Sequence, residues 1–167
     1  HKMQPTARAG LAINYRSLNP ARAGFPLDKW AAGLQSKLFN DFFPRAAQDG
    51  LLRYPAWSKS IPEAKNTQDF IGVNYYSQDQ VAFNLTKAGE MFGERFYAPG
   101  AELSETNFIA NVPQGMFESL KWAKQFDIPI IITENGVEDS QDKLRPRYLI
   151  QHLHQVWKAV NFNFPIK

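Results

Sequence analysis

The chain has 167 residues, 44% hydrophobic and 14% aromatic, which supplies one packed domain and excludes a disordered polymer. Its 19 Lys and Arg against 16 Asp and Glu give a net charge of +3, and the basic residues are scattered singly, so no nucleic-acid partner is expected. There is no cysteine, which excludes disulfides and thiolate metal sites.

The sequence starts at His1 without an initiator Met, which points to a true start elsewhere. The opening HKMQPTARAG has no apolar leader, so the compartment expected is cytoplasmic. No apolar run approaches the ~18 residues a membrane-spanning helix needs, and no membrane partner is expected.

Along the chain, three apolar runs read as buried strands. The first covers residues 9–15 (AGLAINY), with turn chemistry closing it at residues 17–20. A helix is then expected from about residue 27 to 49, with Asp28 or a neighbour as its cap. Trp30, Leu34, Leu38 and Phe42 at spacing four form its apolar face, Pro44 is a break and Gly50 its end. The second strand is residues 69–76 (DFIGVNYY).

Residues 77–111 carry glycines at 89, 93 and 100 and no clean period, which predicts a long loop, functional or disordered. Within it, Asn84-Leu85-Thr86 fits the glycosylation acceptor pattern, a triplet frequent by chance. Pro113 suits the first turn of a helix whose stripe is Met116, Leu120 and Ala123. The third strand is the almost continuously apolar IPIIIT at 128–133. Asp142 is expected to cap a last helix, in which Leu149, Leu153, Val156 and Val160 recur at four, three and four. The order β, α, β, loop, α, β, α implies parallel strands with right-handed crossovers. The fold class is α/β. A barrel and a doubly wound sheet fit alike, and both put chemistry at the C-terminal strand ends.

At those ends stand the candidate residues. The third run gives way to Thr133-Glu134-Asn135-Gly136, and strict alternation puts Ile130, Ile132 and Glu134 on one face. A carboxylate at a barrel mouth can attack an electrophilic carbon or hold a proton or metal. On the residues alone, a solvated strand-end Glu before an ordinary turn is the commoner reading. In the second run Gly72, Asn74 and Tyr76 share one face, and Ile71, Val73 and Tyr75 the other. A Tyr hydroxyl and an Asn amide beside Glu134 would orient its carboxylate; a Tyr tip reaching solvent fits equally. His152 and His154 lie two apart on a predicted helix, so they do not share a face, and no metal site is expected. Asp69 starts its strand at the wrong end to be a second carboxylate, and Glu138 and Asp139 are expected to face solvent.

DFIGVNYY and PIIITENG, in that order, resemble the paired strand motifs of family 1 glycoside hydrolases. Arg147, Tyr148, Leu149, His152 and Leu153 match a following R-x-Y-L-x-x-H-L pattern, and PQGMFESL resembles the helix before the second motif. The resemblance runs over nearly the whole chain. It implies part of a TIM (β/α)8 barrel, approximately strands 5 to 7 with their helices. Residues 1–167 would then be a partial barrel domain lacking the N-terminal half and the final strand.

By the same resemblance, Glu134 is the nucleophile of a retaining β-glycosidase and Tyr76 the residue hydrogen-bonded to it. Asn74 and Asn135 are assigned to substrate binding, with Asn135 and Gly136 shaping the turn. The substrate is a β-glycoside or oligosaccharide, with no metal or other cofactor. Arg147, Tyr148, His152 and Leu153 are expected to be structural.

The sequence departs from the family where it ends. The Asn-Glu-Pro motif that carries the acid/base is absent, and His1-Lys2-Met3 resembles the tail of the helix after that strand. The eighth-strand motif is absent too, the chain stopping at residues 164–167 where that strand should begin. The tryptophan usual before the Pro-x-Gly helix start is also missing, with Phe108 and Ile109 in that region. The competing reading is a non-catalytic carbohydrate-binding or interaction protein derived from the same fold.

Overall fold

The computed structural model of the chain describes residues 4–167, and the helix tail expected at residues 1–3 lies outside the described residues. Strand β1 (Gly10–Asn14) passes through a two-residue joint into β2 (Ser17–Pro20). Helix α1 (Pro26–Ser36) continues through a π-helical turn at Lys37–Asp41 into α2 (Phe42–Asp49). A hairpin of β3 (Leu51–Tyr54) and β4 (Trp57–Ser60) leads to β5 (Phe70–Asn74), β6 (Gln78–Phe83) and β7 (Gly93–Phe96). The chain finishes with α3 (Gln114–Lys124), β8 (Ile130–Glu134) and α4 (Arg145–Asn161).

The three expected strands are parallel neighbours in the order β1, β5, β8. One face of this sheet packs under helices: Ile71, Val73, Tyr75 and Ile130 are buried with Met116 and Leu120 of α3 and Ala159 of α4. The Tyr75 hydroxyl fills the space beside Gly115, where an added Cβ would fall 2.0 Å from it. The register runs Ala12–Gly72–Ile131, so the other face carries Gly10, Ala12, Asn14, Gly72 and Asn74, and no helix among the described residues covers it. Beyond β8 the chain starts a further lane. Ile166 bridges to Ile130 in parallel, with the Ile130 N–H donating to the Pro165 carbonyl at 2.8 Å.

Several expectations are corrected. Residues 17–20 are a strand, since β2 pairs in parallel with β6, and β6 pairs antiparallel with β7. Residues 77–111 are therefore largely structured, and Leu103 bridges Ala110 to pin their second half. The helix at 27–49 is not continuous α. The π turn absorbs one extra residue, and Pro44 sits buried inside α2 without breaking it. Gly50 does end α2, at φ 76°.

That π turn places the fully buried Asn40 side chain against β1–β2. Its Oδ1 accepts from the Arg16 N–H and its Nδ2 donates to the Arg16 carbonyl, both at 2.9 Å. The amide thus pairs backbone groups that no strand reaches at the joint.

The apolar stripes of two helices also face elsewhere than expected. In α1 the buried residues are Asp28, Ala31, Ala32 and Gln35, while Trp30 is 48% exposed. Asp28 is no cap. It accepts from the Arg22 guanidinium at 2.8 Å and from the Arg22 and Phe83 backbone N–H groups at 3.0 and 2.8 Å, tying α1 to β6. In α4 the buried residues are Tyr148, His152, Gln155 and Ala159, one position off the expected stripe, and Leu153 is 64% exposed. Its N-terminus is closed by Asp139, not Asp142: the Asp139 carboxylate accepts from the Leu144 and Arg145 N–H groups at 2.6 and 2.9 Å. The α3 stripe of Met116, Leu120 and Ala123 is buried as expected.

Two outcomes follow from this packing. The uncovered sheet face and exposed Leu153, Trp157 and Phe162 leave an apolar surface that water solvates poorly. The purified 167-residue chain should bind a hydrophobic dye and self-associate in size-exclusion chromatography; a monodisperse, dye-silent species would contradict the open face. The second outcome concerns Asp28. The Arg22 guanidinium, helped by the Phe83 and Arg22 N–H groups, holds its carboxyl down at about 2 against the pull of burial. A depressed folded value contributes stability above the unfolded value of about 4 that is lost as pH falls toward the folded one. Circular dichroism should therefore show wild type losing structure more steeply than Asp28→Asn between about pH 4 and pH 2, from a higher starting stability.

Candidate active site

The C-terminal ends of the strands meet at one level, because the register pairs Asn14 with Asn74 and Asn74 with Glu134. Val73 pairs with Ile132, however, so Thr133 is an extra residue in β8. This bulge corrects the expected alternation. Ile130 and Ile132 pack with the helix-side core, while Thr133 and Glu134 both turn to the other face. The Thr133 hydroxyl donates to Asn74 Oδ1, and the Tyr76 hydroxyl donates to Glu134 Oε2 in a short hydrogen bond.

Tyr75 and Tyr76 divide between the two faces. Tyr75 is fully buried, its hydroxyl donating to the Val112 carbonyl at 2.6 Å. Burial, followed by nearby Tyr148 and Glu118, pushes its phenol well above the usual range. Tyr76 is half-buried against Ile109, Val137, Leu144 and Tyr148. Its phenol is also raised, first because it donates to Glu134, then by burial and by the carboxylate charge. Glu134 itself is exposed toward the uncovered face.

Asn135 turns the other way from Glu134. Its Nδ2 donates to the Tyr75 carbonyl at 2.7 Å and to the Tyr148 hydroxyl at 3.2 Å, so only its Oδ1 remains for anything outside the fold. The Tyr148 hydroxyl donates in turn to the Tyr76 carbonyl at 2.9 Å. Glu138 and Asp139 are not free in solvent. Burial is the largest single influence on Glu138 and acts to raise its carboxyl, but the Ser104 and Thr106 hydroxyls that donate to it, with backbone N–H groups, together hold it below the usual value. Asp139 caps α4, and the Arg145 and Leu144 N–H groups keep it low, again against some burial. Asp69 lies at the far end of β5, where its carboxylate accepts from the Ala9 N–H at 2.7 Å.

Beside Tyr76 a hollow of about 180 Å³ opens between Asn14, Tyr15, Arg16, Ser77, Phe108 and Ile109. Asn14 and Arg16 were not singled out from sequence, although both strands end in the same Asn-Tyr pair, 14–15 and 74–75. Arg16 is held by Asp79, with Nε to Oδ2 at 2.8 Å. His152 is buried, with its Nδ1 2.7 Å from the Tyr148 carbonyl, and burial lowers its imidazole below the usual range. Among the described residues no group of three His, Asp or Glu is arranged to hold a metal ion, and no helix is long and apolar enough to cross a membrane.

Comparison with known proteins shows what the chain is similar to. The β-galactosidase of Pyrococcus woesei is 29% identical over 113 residues, which cover 59% of this chain and 22% of that protein. A β-glycosidase from Pyrococcus horikoshii superposes with a TM-score of 0.84 at 31% identity, covering 94% of this chain and 36% of the other. The family 1 β-glucosidase from Thermotoga maritima superposes at 0.80 with 24% identity, covering 96% of this chain and 40% of the other. The chain thus spans well under half the length of these relatives, and its mixed α/β fold matches part of their barrel. The model of glycosyl hydrolase family 1 matches residues 1–167 from first to last, and the chain belongs to that family.

Proposed function

We propose that this chain is the nucleophile-bearing segment of a retaining β-glycosidase, comprising strands five to seven of the barrel, and that Glu134 is the nucleophile. The observation that carries this reading is the hydrogen bond from Tyr76 to Glu134 Oε2 at the C-terminal ends of parallel strands, where barrel enzymes hold their chemistry. The bond occupies one carboxylate oxygen and leaves Oε1 for attack. The raised Tyr76 phenol stays protonated and goes on donating through the neutral range.

In this mechanism Glu134 Oε1 bonds to the anomeric carbon as the bond to the aglycone oxygen breaks. The aglycone oxygen takes a proton from a second carboxyl group, which must lie about 5–5.5 Å from the first. Water then displaces Glu134, giving its proton to that second group. The second carboxyl comes from outside these residues, because the family's Asn-Glu-Pro motif is absent from the sequence. Asn74, whose Oδ1 is occupied by Thr133, offers its Nδ2 to a sugar hydroxyl, and Asn135 offers its Oδ1. The substrate class is a β-glycoside or oligosaccharide, in line with the glycosidases this chain resembles.

Initial rates on an aryl β-glycoside test the reading. The 167-residue chain alone should be inactive, because the uncovered face cannot hold the anomeric carbon against Glu134, and positioning supplies on the order of 7–11 kcal/mol of such a barrier. In the full-length protein that carries this chain, Glu134→Gln should remove nearly all turnover, since the amide cannot form the covalent intermediate. Tyr76→Phe removes one hydrogen bond to a charged group, about 1.5–3 kcal/mol, and should cost roughly ten- to a hundredfold. Wild-type rates in Glu134→Gln would end the assignment.

A further inference from the structure

Tyr148 lies on α4, outside the motifs that carry the proposed chemistry, yet it is the point where the two strand ends are joined. It is fully buried. Its hydroxyl donates to the carbonyl of Tyr76 at 2.9 Å and accepts from Asn135 Nδ2 at 3.2 Å. The same Nδ2 donates to the carbonyl of Tyr75 at 2.7 Å. One hydroxyl and one amide therefore tie the two peptide groups that flank Tyr76 to the residue that follows Glu134.

The hydroxyl is itself fixed from behind. The His152 ring stacks on the Tyr148 ring with centroids 3.8 Å apart, and its Nδ1 lies 2.7 Å from the Tyr148 carbonyl. Asp139 caps the first turn of the same helix, so the phenol stands on a rigid element. The Tyr148 hydroxyl bonds the carbonyl of Tyr76 and the side chain of Asn135, not the Glu134 carboxylate, and its phenol is pushed above the usual range chiefly by burial.

We infer that Tyr148 is a positioning residue for the Tyr76–Glu134 pair: with Asn135 it forms a clasp that sets the distance between the tyrosine hydroxyl and the carboxylate. This rests on the reading of Glu134 as nucleophile. The clasp takes over where the ladder stops. Past the bulge β5 and β8 pair once more, Asn74 with Glu134, and the Tyr75 N–H donates to the Glu134 carbonyl at 3.1 Å, so Tyr76 and Asn135 are the first residues beyond that pairing. Losing the clasp would let the two side chains drift, and misplacements of about 1 Å at a reacting centre cost on the order of a hundredfold.

The test is a double-mutant cycle in the full-length protein that carries this chain, with kcat, KM and melting temperature measured for Tyr148→Phe, Tyr76→Phe and the pair. Phenylalanine keeps the ring stacked on His152 and removes only the hydroxyl. The expected result is a fall in kcat of about tenfold or more with KM changed less than about threefold, and little further fall when Tyr148→Phe is added to Tyr76→Phe. Equal falls in both backgrounds would overturn the inference, as would a lower melting temperature with unchanged kcat per active site. Should Tyr148→Phe not fold, Asn135→Asp keeps the oxygen offered to the sugar and removes the Nδ2 donor of the clasp; there kcat alone is read, with little further fall on top of Tyr76→Phe expected and equal falls in both backgrounds overturning the inference. Glu134→Gln runs alongside: turnover in that variant marks failure of the nucleophile reading, whereas an inactive Glu134→Gln with an additive cycle marks failure of the clasp alone.

Discussion

Glu134 faces the uncovered side of the sheet because β8 holds one residue more than β5 opposite it. With strict alternation it would follow Ile130 and Ile132 under the helices, and a carboxylate in that apolar core would cost several kcal/mol or stay protonated. The shift between Val73 and Asn74 absorbs Thr133 and brings Glu134 level with Asn74. Gly72 makes room for this: a Cβ there would lie 3.0 Å from the Ala12 Cα and 3.1 Å from Thr133 Oγ1. The Thr133 hydroxyl then finds Asn74, so the extra residue is itself anchored.

Everything around the strand ends serves to hold that step. Tyr75 goes down into the core, where its hydroxyl anchors the Val112 carbonyl just before α3. Tyr76 goes up, to the carboxylate. The segment after β7 is drawn under the site by Ser77, whose Oγ accepts from the Ala110 N–H at 3.0 Å. The loop after β8 is held by Glu138 on two hydroxyls and by Asp139 on the α4 N-terminus. The proposed nucleophile thus sits on a strand end and the loops beside it are hydrogen-bonded into place, the arrangement expected where a rigid scaffold carries a reactive group.

The three core strands were legible because parallel strands covered by helices are nearly continuous apolar runs. The meeting of Tyr76 with Glu134 was legible from the family resemblance; alternation separates Tyr75 from Tyr76 along DFIGVNYY, but applied to the third strand it keeps Glu134 with Ile130 and Ile132. The bulge was not legible, because nothing in IIITENG marks one residue as unpaired. Helix existence was readable, and so was the facing of α3, but the facing of α1 and α4 was not. The inward residues of α1 are small, or polar with individual partners: Ala31, Ala32, Asp28 to Arg22, and Gln35 to the carbonyls of Glu90 and Gly93. In α4 the inward stripe is Tyr148, His152 and Gln155, so hydrophobicity pointed one residue away. The strands β2, β6 and β7 are polar; β2 is defined by pairing with β6 across some 60 residues, which local pattern does not encode, and β7 by pairing back on β6.

The central claim is that Glu134, brought to the open face by the bulge, is the group that bonds to sugar. It is tested most directly by trapping. The full-length protein carrying this chain is incubated with a fluorinated glycoside whose glycosyl-enzyme hydrolyses slowly, digested, and the modified peptide sequenced by mass spectrometry. The account predicts one added sugar on the peptide containing Thr133-Glu134-Asn135, attached at Glu134. A label on any other residue, or steady turnover with no covalent adduct, would contradict it.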